Sequence, residues 1–196
     1  MTNRRIIGII LAGGQSRRYG RPKMFELFAG KPFYEWAYVA LKDEVDETTI
    51  VTQQSYVSRF PASYTVVTDE PTVAQMGPLA GIYSVMASKT ADLYVVLPCD
   101  MPLIDQYIVR RLLALHERDV SVVTIHRKVQ PLVSVWERQV KDTLYTMLSN
   151  GDKRVKDLLH RVNVHYIPVE SLTTDVVCFT NVNTQQEYEE LKKWLT

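Results

Sequence analysis

Short apolar runs alternate along this chain with segments in which apolar residues recur at helical spacing. The runs at residues 6–11 and 93–97 are almost wholly apolar and rich in β-branched side chains, which predicts strands buried on both faces. Further strands are predicted at residues 48–52, 64–68 and 121–125, with residues 132–135 pairing at an edge of the sheet.

Between these runs, apolar residues recur three and four positions apart, as on one face of a helix; Phe33 to Leu41 is the clearest case. Other helices are predicted at residues 81–88, at residues 104–116 and in a segment through Leu144 and Leu148. A last helix, through Tyr188, Leu191 and Trp194, is predicted to begin at a capping box formed by Thr184 and Glu187. Strands that alternate with helices predict an α/β doubly wound fold, a parallel sheet covered on both sides. Such sheets bind ligands at the carboxyl ends of their strands, so the residues after Leu11 and Leu97 are the first candidates.

Length and charge narrow the class of protein. The chain has 196 residues, and we expect residues 1–196 to form a single domain. The 23 Lys and Arg residues nearly balance the 22 Asp and Glu residues, which leaves a net charge of +1. That balance argues against a protein held mainly by nucleic-acid phosphates or anionic lipid, so neither nucleic acid nor membrane is expected as a partner.

The cysteine content bears on the compartment. Cys99 and Cys178 are too few for a disulfide framework and show no CxxC spacing for zinc. Reduced thiols are the simpler interpretation, which favours the cytoplasm. The longest uncharged stretch, residues 71–88, is interrupted by glycine and proline and does not predict a membrane span.

A glycine-rich, basic loop follows the first predicted strand. Residues 12–23 hold three glycines and four cationic side chains, Arg17, Arg18, Arg21 and Lys23. Glycines let backbone N–H groups approach a polyanion and the cations offset its charge, so a nucleoside triphosphate is the indicated ligand. The spacing fits neither the P-loop pattern GxxxxGK[ST] nor the dinucleotide pattern GxGxxG. The alternative is a surface loop that is basic only for solubility.

Two acidic residues follow predicted strands at the same edge of the sheet. Asp100 lies in a turn between Pro98 and Pro102, after the strand predicted at residues 93–97. A carboxylate in this position is a suitable ligand for Mg²⁺, which prefers one or two carboxylates together with substrate phosphates and water. The alternative for Asp100 is the N-cap of the helix that starts near Ile104. Asp69 follows residues 64–68 and is a candidate for a metal contact, for a hydrogen bond to ribose or base, or for a solvated turn acid.

Taken in order, these motifs resemble those of the molybdenum cofactor guanylyltransferase family, within the nucleotidyltransferase superfamily. The matching segments are residues 11–20 with Lys23, residues 30–32, Asp69, and residues 77–81, 98–103, 130–132 and 179–184. The first segment alone would indicate only the superfamily, whereas the Pro-Cys-Asp and Asn-Val-Asn-Thr segments make the resemblance specific. It implies a three-layer, mostly parallel, Rossmann-like nucleotidyltransferase fold. It also implies transfer of GMP from GTP to molybdopterin or molybdenum cofactor, with release of pyrophosphate.

The resemblance also implies roles for particular residues. Those implied to contact GTP are Leu11, Ala12, Gly13, Gly14, Lys23, Asp69 and Asp100. Asp100 would also hold Mg²⁺, while Lys23 and Arg17 would offset the charge that builds on the leaving pyrophosphate. Asn181 and Asn183 would lie near the pterin or the metal, and their alternative is that of turn residues leading into the last helix.

The chain departs from the family pattern at a few positions. Pro22 stands where the family commonly has an acid, and Tyr19 where it has a methionine. Around Thr52 and Gln53 the family often places an asparagine for the guanine base. Gly13 replaces the alanine of the relatives that use CTP, which by family pattern favours guanine.

Other functions remain open on the sequence. One is a nucleotidyltransferase that uses CTP or a sugar-phosphate acceptor. Another is a nucleotide or cofactor carrier without turnover, one that hands cofactor to apo-enzymes. Besides GTP and molybdopterin or molybdenum cofactor, cofactor-insertion or acceptor proteins are candidate partners.

Overall fold

The computed structural model describes residues 4–14 and 19–193. Its strands are β1 (Ile6–Leu11), β2 (Leu27–Phe28), β3 (Lys31–Pro32), β4 (Glu47–Val51), β5 (Thr65–Val67), β6 (Leu93–Pro98), β7 (Val120–Ile125), β8 (Lys128–Glu137) and β9 (Val164–Pro168). The main sheet has the order β5-β4-β1-β6-β8-β7-β9, and β2 and β3 form a separate ribbon. Every pairing in the main sheet is parallel except those of β8 with β6 and β7. The predicted α/β fold with a mostly parallel sheet is confirmed.

Helices cover both faces of this sheet. They are α1 (Phe33–Leu41), α2 (Pro78–Ser88), α3 (Gln106–Ala114), α4 (Val140–Ser149), α5 (Val155–Leu159) and α6 (Gln185–Lys192). Helices α1 and α3 pack on one face, and α2, α4 and α5 on the other. Because successive strand residues point to opposite faces, Val95 and Leu97 of β6 join the first core, and Tyr94 and Val96 join the second. No helix in the described ranges could span a bilayer, which takes about 20 apolar residues.

The strand predicted at residues 132–135 is not at an edge of the sheet. It belongs to β8, a 10-residue strand that lies between β6 and β7. His126 and Arg127, which join β7 to β8, both have positive φ (47° and 65°), as a tight two-residue hairpin turn requires. The edge beside β7 is taken instead by β9, a strand that the sequence analysis does not predict.

Helix α6 closes over the ribbon of β2 and β3. Its small separate core consists of Tyr19, Phe28, Phe33, Val182, Tyr188 and Leu191. The predicted capping box is present, since the Thr184 hydroxyl accepts the Glu187 N–H and the Glu187 carboxylate accepts the Thr184 N–H. Trp194, predicted as the last apolar residue of this helix, lies outside the described residues.

Helix α2 approaches the sheet closely because Gly81 has no side chain. A Cβ at this position would lie 3.0 Å from Val51 Cγ1 and 3.2 Å from Leu11 Cδ2, closer than ordinary van der Waals contact. The close approach brings the first turn of α2 beside the carboxyl ends of β1 and β4.

We expect Gly81→Val to lower the free energy of unfolding by about 1–3 kcal/mol, because the added methyl groups must displace Val51 or Leu11. Urea denaturation measures the change. The matched control is Ala87→Val, which places the same side chain on the exposed side of α2. Equal stability of the two variants would contradict the close packing.

Candidate functional site

The carboxyl ends of β1, β4, β5 and β6 meet at one edge of the sheet, beside a cleft of about 980 Å³. Backbone hydrogen bonds join the segments that leave these strands: the Cys99 N–H donates to the Leu11 carbonyl (3.2 Å), and the Thr52 N–H to the Val67 carbonyl (3.0 Å). The sequence-predicted residues that line the cleft are Leu11, Gly13, Gly14, Lys23, Asp69, Asp100 and Asn183. The volume is large enough for a nucleotide, since small-ligand pockets measure about 300–1,000 Å³.

Other predicted residues do not line the cleft. Ala12 is 1% exposed and does not line the cleft. Its N–H donates to the Val51 carbonyl, and its carbonyl accepts from the Thr52 hydroxyl. Asn181 is not among the lining residues. Arg17 falls in residues 15–18, outside the described part of the chain.

A lysine and an aspartate form the chemical centre of the cleft. Lys23 Nζ donates to Asp100 Oδ2 at 2.6 Å, to Asn183 Oδ1 at 2.7 Å and to the Val182 carbonyl at 3.2 Å. The side chains of Lys23 and Asp100 are 11% and 19% exposed. Their ion pair is therefore largely shielded from water, where its field is stronger than on an open surface.

The second oxygen of Asp100 fits a divalent cation. Asp100 Oδ1 is buried and has no hydrogen-bond partner among the described residues. Over the same residues, no group of three His, Cys, Asp or Glu side chains is placed to hold a metal. Mg²⁺ does not require such a group, because it binds through one or two carboxylates and takes its other ligands from phosphate and water.

Asp100 is not the N-cap of the helix that follows it. Helix α3 begins later, and its N-cap is Asp105, whose carboxylate accepts the Ile108 N–H at 2.9 Å. Residues 102–103 form a turn that separates Asp100 from this helix. The N-cap alternative for Asp100 is thus wrong.

The loop after β1 is anchored by residues at the end of β4. The Thr52 hydroxyl donates to the Ala12 carbonyl at 3.0 Å, and Gln53 Nε2 donates to the Gly13 carbonyl at 2.6 Å. A Cβ at Gly13 would lie 3.8 Å from Thr52 Cα, an ordinary contact, so packing within the protein does not require a glycine here. Because Gly13 has no side chain, its backbone is open to the cleft that it lines.

The protein accommodates both departures from the family pattern near Lys23. Pro22 precedes a 3₁₀ turn, Lys23–Phe25, with φ of −63°, and its carbonyl accepts the Phe25 N–H at 3.2 Å. This φ is the value that the proline ring imposes. Tyr19 is buried in the small core beneath α6. Neither substitution removes Lys23 from the cleft.

Asp69 lies on the cleft wall after β5. Its Oδ2 accepts the Gln75 N–H at 3.1 Å. Burial raises the pKa of Asp69 above its ordinary value, and the hydrogen bond from Gln75 only partly opposes this effect. A half-buried carboxylate that accepts one hydrogen bond from the described residues is suited to accept others from a ligand.

Comparison with known proteins gives the family. The sequence profile of the MobA-like NTP transferase domain matches residues 8–166. The chain belongs to this family. It is 35% identical over 191 residues to a Geobacillus sp. (strain WCH70) protein named "Probable molybdenum cofactor guanylyltransferase", covering 95% of this chain and 98% of the relative. A Bacillus subtilis (strain 168) protein of the same name is also 35% identical over 191 residues, covering 95% of this chain and 94% of the relative.

Solved structures share the fold. Molybdopterin-guanine dinucleotide biosynthesis protein A from Archaeoglobus fulgidus superposes with a TM-score of 0.82 at 23% identity, covering 96% of this chain and 98% of that one. A Mycobacterium tuberculosis protein in complex with manganese gives a TM-score of 0.70 at 18% identity, covering 96% and 98%. The resemblance seen in the motifs is confirmed, and with it the enzyme class, nucleotidyltransferase.

Sequence reasoning missed three contributors to the site. Leu132 lines the cleft because β8 runs antiparallel beside β6. The Val182 carbonyl binds Lys23, and Gln53 binds the loop after β1. The family pattern marks the segments that hold them, residues 130–132, residues 179–184 and the positions around Thr52 and Gln53, but no sequence pattern indicates the hydrogen bonds to Lys23 and Gly13.

We expect Asp69→Asn to raise the melting temperature at neutral pH by about 1–3 °C. A carboxyl group whose pKa is raised by folding stabilises the folded state at low pH, and this stabilisation is lost as the pH rises through the raised pKa. At neutral pH the ionised Asp69 therefore lowers the free energy of unfolding, and asparagine removes that effect. The amide oxygen can still accept the Gln75 N–H. Scanning calorimetry should show the gain shrink as the pH is lowered, and the control Asp43→Asn, at an exposed site, should show none. A lower melting temperature for Asp69→Asn would refute this account.

Proposed function

We propose that this protein transfers GMP from GTP to the phosphate of molybdopterin, which yields the guanine dinucleotide cofactor and pyrophosphate. The observation that carries the proposal is the position of Lys23 Nζ, which Asp100 and Asn183 hold at the wall of the cleft. The relatives named molybdenum cofactor guanylyltransferase support the same reaction.

In the proposed transfer, an oxygen of the acceptor phosphate attacks the α-phosphorus of GTP. The bond from that phosphorus to the oxygen bridging to the β-phosphate breaks, and its electron pair leaves with pyrophosphate. Phosphoryl chemistry of this kind needs little covalent help from the protein. The contribution of the chain is therefore positioning of the substrates and stabilisation of charge.

Lys23 is suited to stabilise charge on the phosphates. Its ammonium group already lies in the cleft, fixed by two side-chain acceptors and shielded from water, so little reorganisation precedes the reaction. Arg17, predicted for the same role from the sequence, remains part of the proposal.

Asp100 would hold the divalent cation, which we take to be Mg²⁺. Its Oδ1, which is buried and has no partner among the described residues, is the oxygen that would bind the ion, with phosphate and water as further ligands. When bound, this ion offsets the negative charge of the phosphate oxygens.

The orientation of Gln53 supports guanine as the base. Gln53 Nε2 donates one of its two N–H groups to the Gly13 carbonyl, which leaves Oε1, with two lone pairs, and the second N–H to offer to a ligand in the cleft. Guanine carries two donors on its Watson–Crick edge, N1–H and the N2 amino group, whereas cytosine carries one. Because Oε1 can accept both guanine donors at once, whereas cytosine offers it only one, this side chain favours GTP over CTP.

The proposal includes the cytoplasm as the compartment and one domain over residues 1–196. Neither cysteine is paired, and Cys99 is buried. Burial raises the pKa of its thiol to about 12, which keeps the group protonated and unreactive at neutral pH.

Pyrophosphate release from each of the four nucleoside triphosphates, with Mg²⁺ and with or without molybdopterin, tests the proposal. We expect release from GTP alone and only when molybdopterin is present. Preference for CTP would assign the protein to the cytosine-specific relatives. Tight binding of GTP without release from any nucleotide would indicate a carrier.

We expect Lys23→Ala and Asp100→Ala each to lower kcat by about 10²–10³-fold, since each removes a fixed charge next to the transferred phosphate. The control is the exposed pair Lys42 and Asp43, whose alanine variants should retain full activity. Steady-state pyrophosphate release measures the rates. Near-normal turnover of Lys23→Ala or Asp100→Ala would remove that residue from the mechanism.

We expect Gln53→Ala to lower the ratio of kcat/KM for GTP to that for CTP by about tenfold, the effect of one hydrogen bond. Ser55→Ala, a change at an exposed position on the cleft rim, should leave the ratio unchanged. An unchanged ratio in the Gln53 variant would exclude this side chain as a reader of the base.

A further inference from the structure

The first turn of α6 is connected to Lys23 through hydrogen bonds. Glu187 Oε2 accepts the N–H of Thr184 at 2.9 Å and the N–H of Asn183 at 2.7 Å. A capping box accounts for the first bond, because the glutamate of such a box binds the N–H of the N-cap residue. The second bond lies outside the helix and is not needed to cap it.

The additional bond fixes the residue that holds Lys23. Asn183 Oδ1 accepts from Lys23 Nζ at 2.7 Å, and its backbone is the part bound by Glu187. The Glu187 carboxylate thus restrains the backbone of Asn183, and the side chain of Asn183 restrains Lys23.

The segment before α6 is also bound from the side of Asp100. The buried Val182 donates its N–H to the Asp100 carbonyl at 2.9 Å and accepts from Lys23 Nζ through its own carbonyl. Residues 182–184 are therefore held between the acid of the cleft and the first turn of α6.

Helix α6 is itself firmly placed. The Tyr188 hydroxyl donates to the Leu27 carbonyl at 2.6 Å, and Tyr188 and Leu191 are buried in the small core with Phe28 and Phe33. The helix can therefore fix Asn183 relative to the loop that carries Lys23.

We propose that Glu187 is a positioning residue for the proposed transfer: it fixes Asn183 so that Asn183 Oδ1 keeps the Lys23 ammonium beside Asp100. The inference rests on the proposed function, in which Lys23 acts on the phosphates. Lysine has a flexible stem, and a displacement of about 1 Å in a reacting group can cost up to about 10²-fold in rate. A rigid acceptor on the lysine is therefore of direct value to the reaction.

The test compares Glu187→Ala, Glu187→Gln and the control Glu190→Ala, an exposed change on the same helix. Because the transition state needs the fixed lysine more than the ground state does, we expect Glu187→Ala to lower kcat about tenfold with KM for GTP changed less than about twofold. The amide oxygen of glutamine can accept both N–H groups, so Glu187→Gln should retain kcat within about threefold. Glu190→Ala should match the unsubstituted protein.

A double-mutant cycle with Asn183→Ala separates positioning from helix capping. Loss of the cap should lower the melting temperature in both backgrounds, whereas the loss in kcat from Glu187→Ala should appear only where Asn183 is present. An equal loss in kcat in both backgrounds, or a lower melting temperature with no change in kcat, would overturn the proposal.

A measurement without substrate keeps this inference distinct from the proposed reaction. Reductive methylation followed by peptide mass spectrometry reports how accessible the Lys23 amine is. We expect Glu187→Ala to speed methylation of Lys23 at least about threefold and Glu190→Ala to leave it unchanged, since freeing Asn183 exposes a side chain now 11% exposed. Unchanged methylation in Glu187→Ala would overturn the positioning role, whereas failure of the unsubstituted protein to use any nucleotide would overturn the proposed function alone.

Discussion

The contact between Lys23 and Asp100 is the constraint on which the rest of the site depends. It joins residues 77 positions apart, one after β1 and one after β6, at 2.6 Å with little exposure to water. The free-energy cost of removing two charges from water offsets much of the attraction between them, unless further hydrogen bonds are made to both charged groups. Here Asn183 and the Val182 carbonyl supply those bonds to Lys23, while one oxygen of Asp100 has no partner among the described residues. The cation that we propose at Asp100 would bind this oxygen and offset the cost of burying it.

The strand order of the sheet brings the backbone segments that carry Lys23 and Asp100 close together. Leu11 and Pro98 are paired residues of neighbouring parallel strands, so the segments that follow them leave the sheet side by side. Gly81 lets α2 pack against the ends of β1 and β4, and β8 adds Leu132 to the lining of the cleft. The doubly wound topology thus brings distant parts of the chain to one edge, where an α/β sheet binds its ligand.

Much of this was predictable because it rests on local patterns. Continuous apolar runs identify β1 and β6, and Gly13, Gly14 and Asp100, which follow these strands, line the cleft together with Lys23. The position of β8 inside the sheet was not predictable from periodicity, because an antiparallel hairpin arm and an edge strand have similar sequences. The hydrogen bonds of Gln53 to Gly13 and of Glu187 to Asn183 were not predictable either, since each is made to a backbone group, and such bonds leave no spacing pattern. The capping box was predicted, but its additional bond to Asn183 depends on how the chain enters α6.

The direct test of the central claim is the fate of the GTP phosphates. The protein is incubated with Mg²⁺, molybdopterin and GTP labelled on either the α- or the γ-phosphorus, and the products are separated. Transfer of GMP predicts that the α label is found in the pterin dinucleotide and the γ label in pyrophosphate, in equal amounts. Transfer of the γ label to the pterin, or its release as inorganic phosphate, would contradict the account.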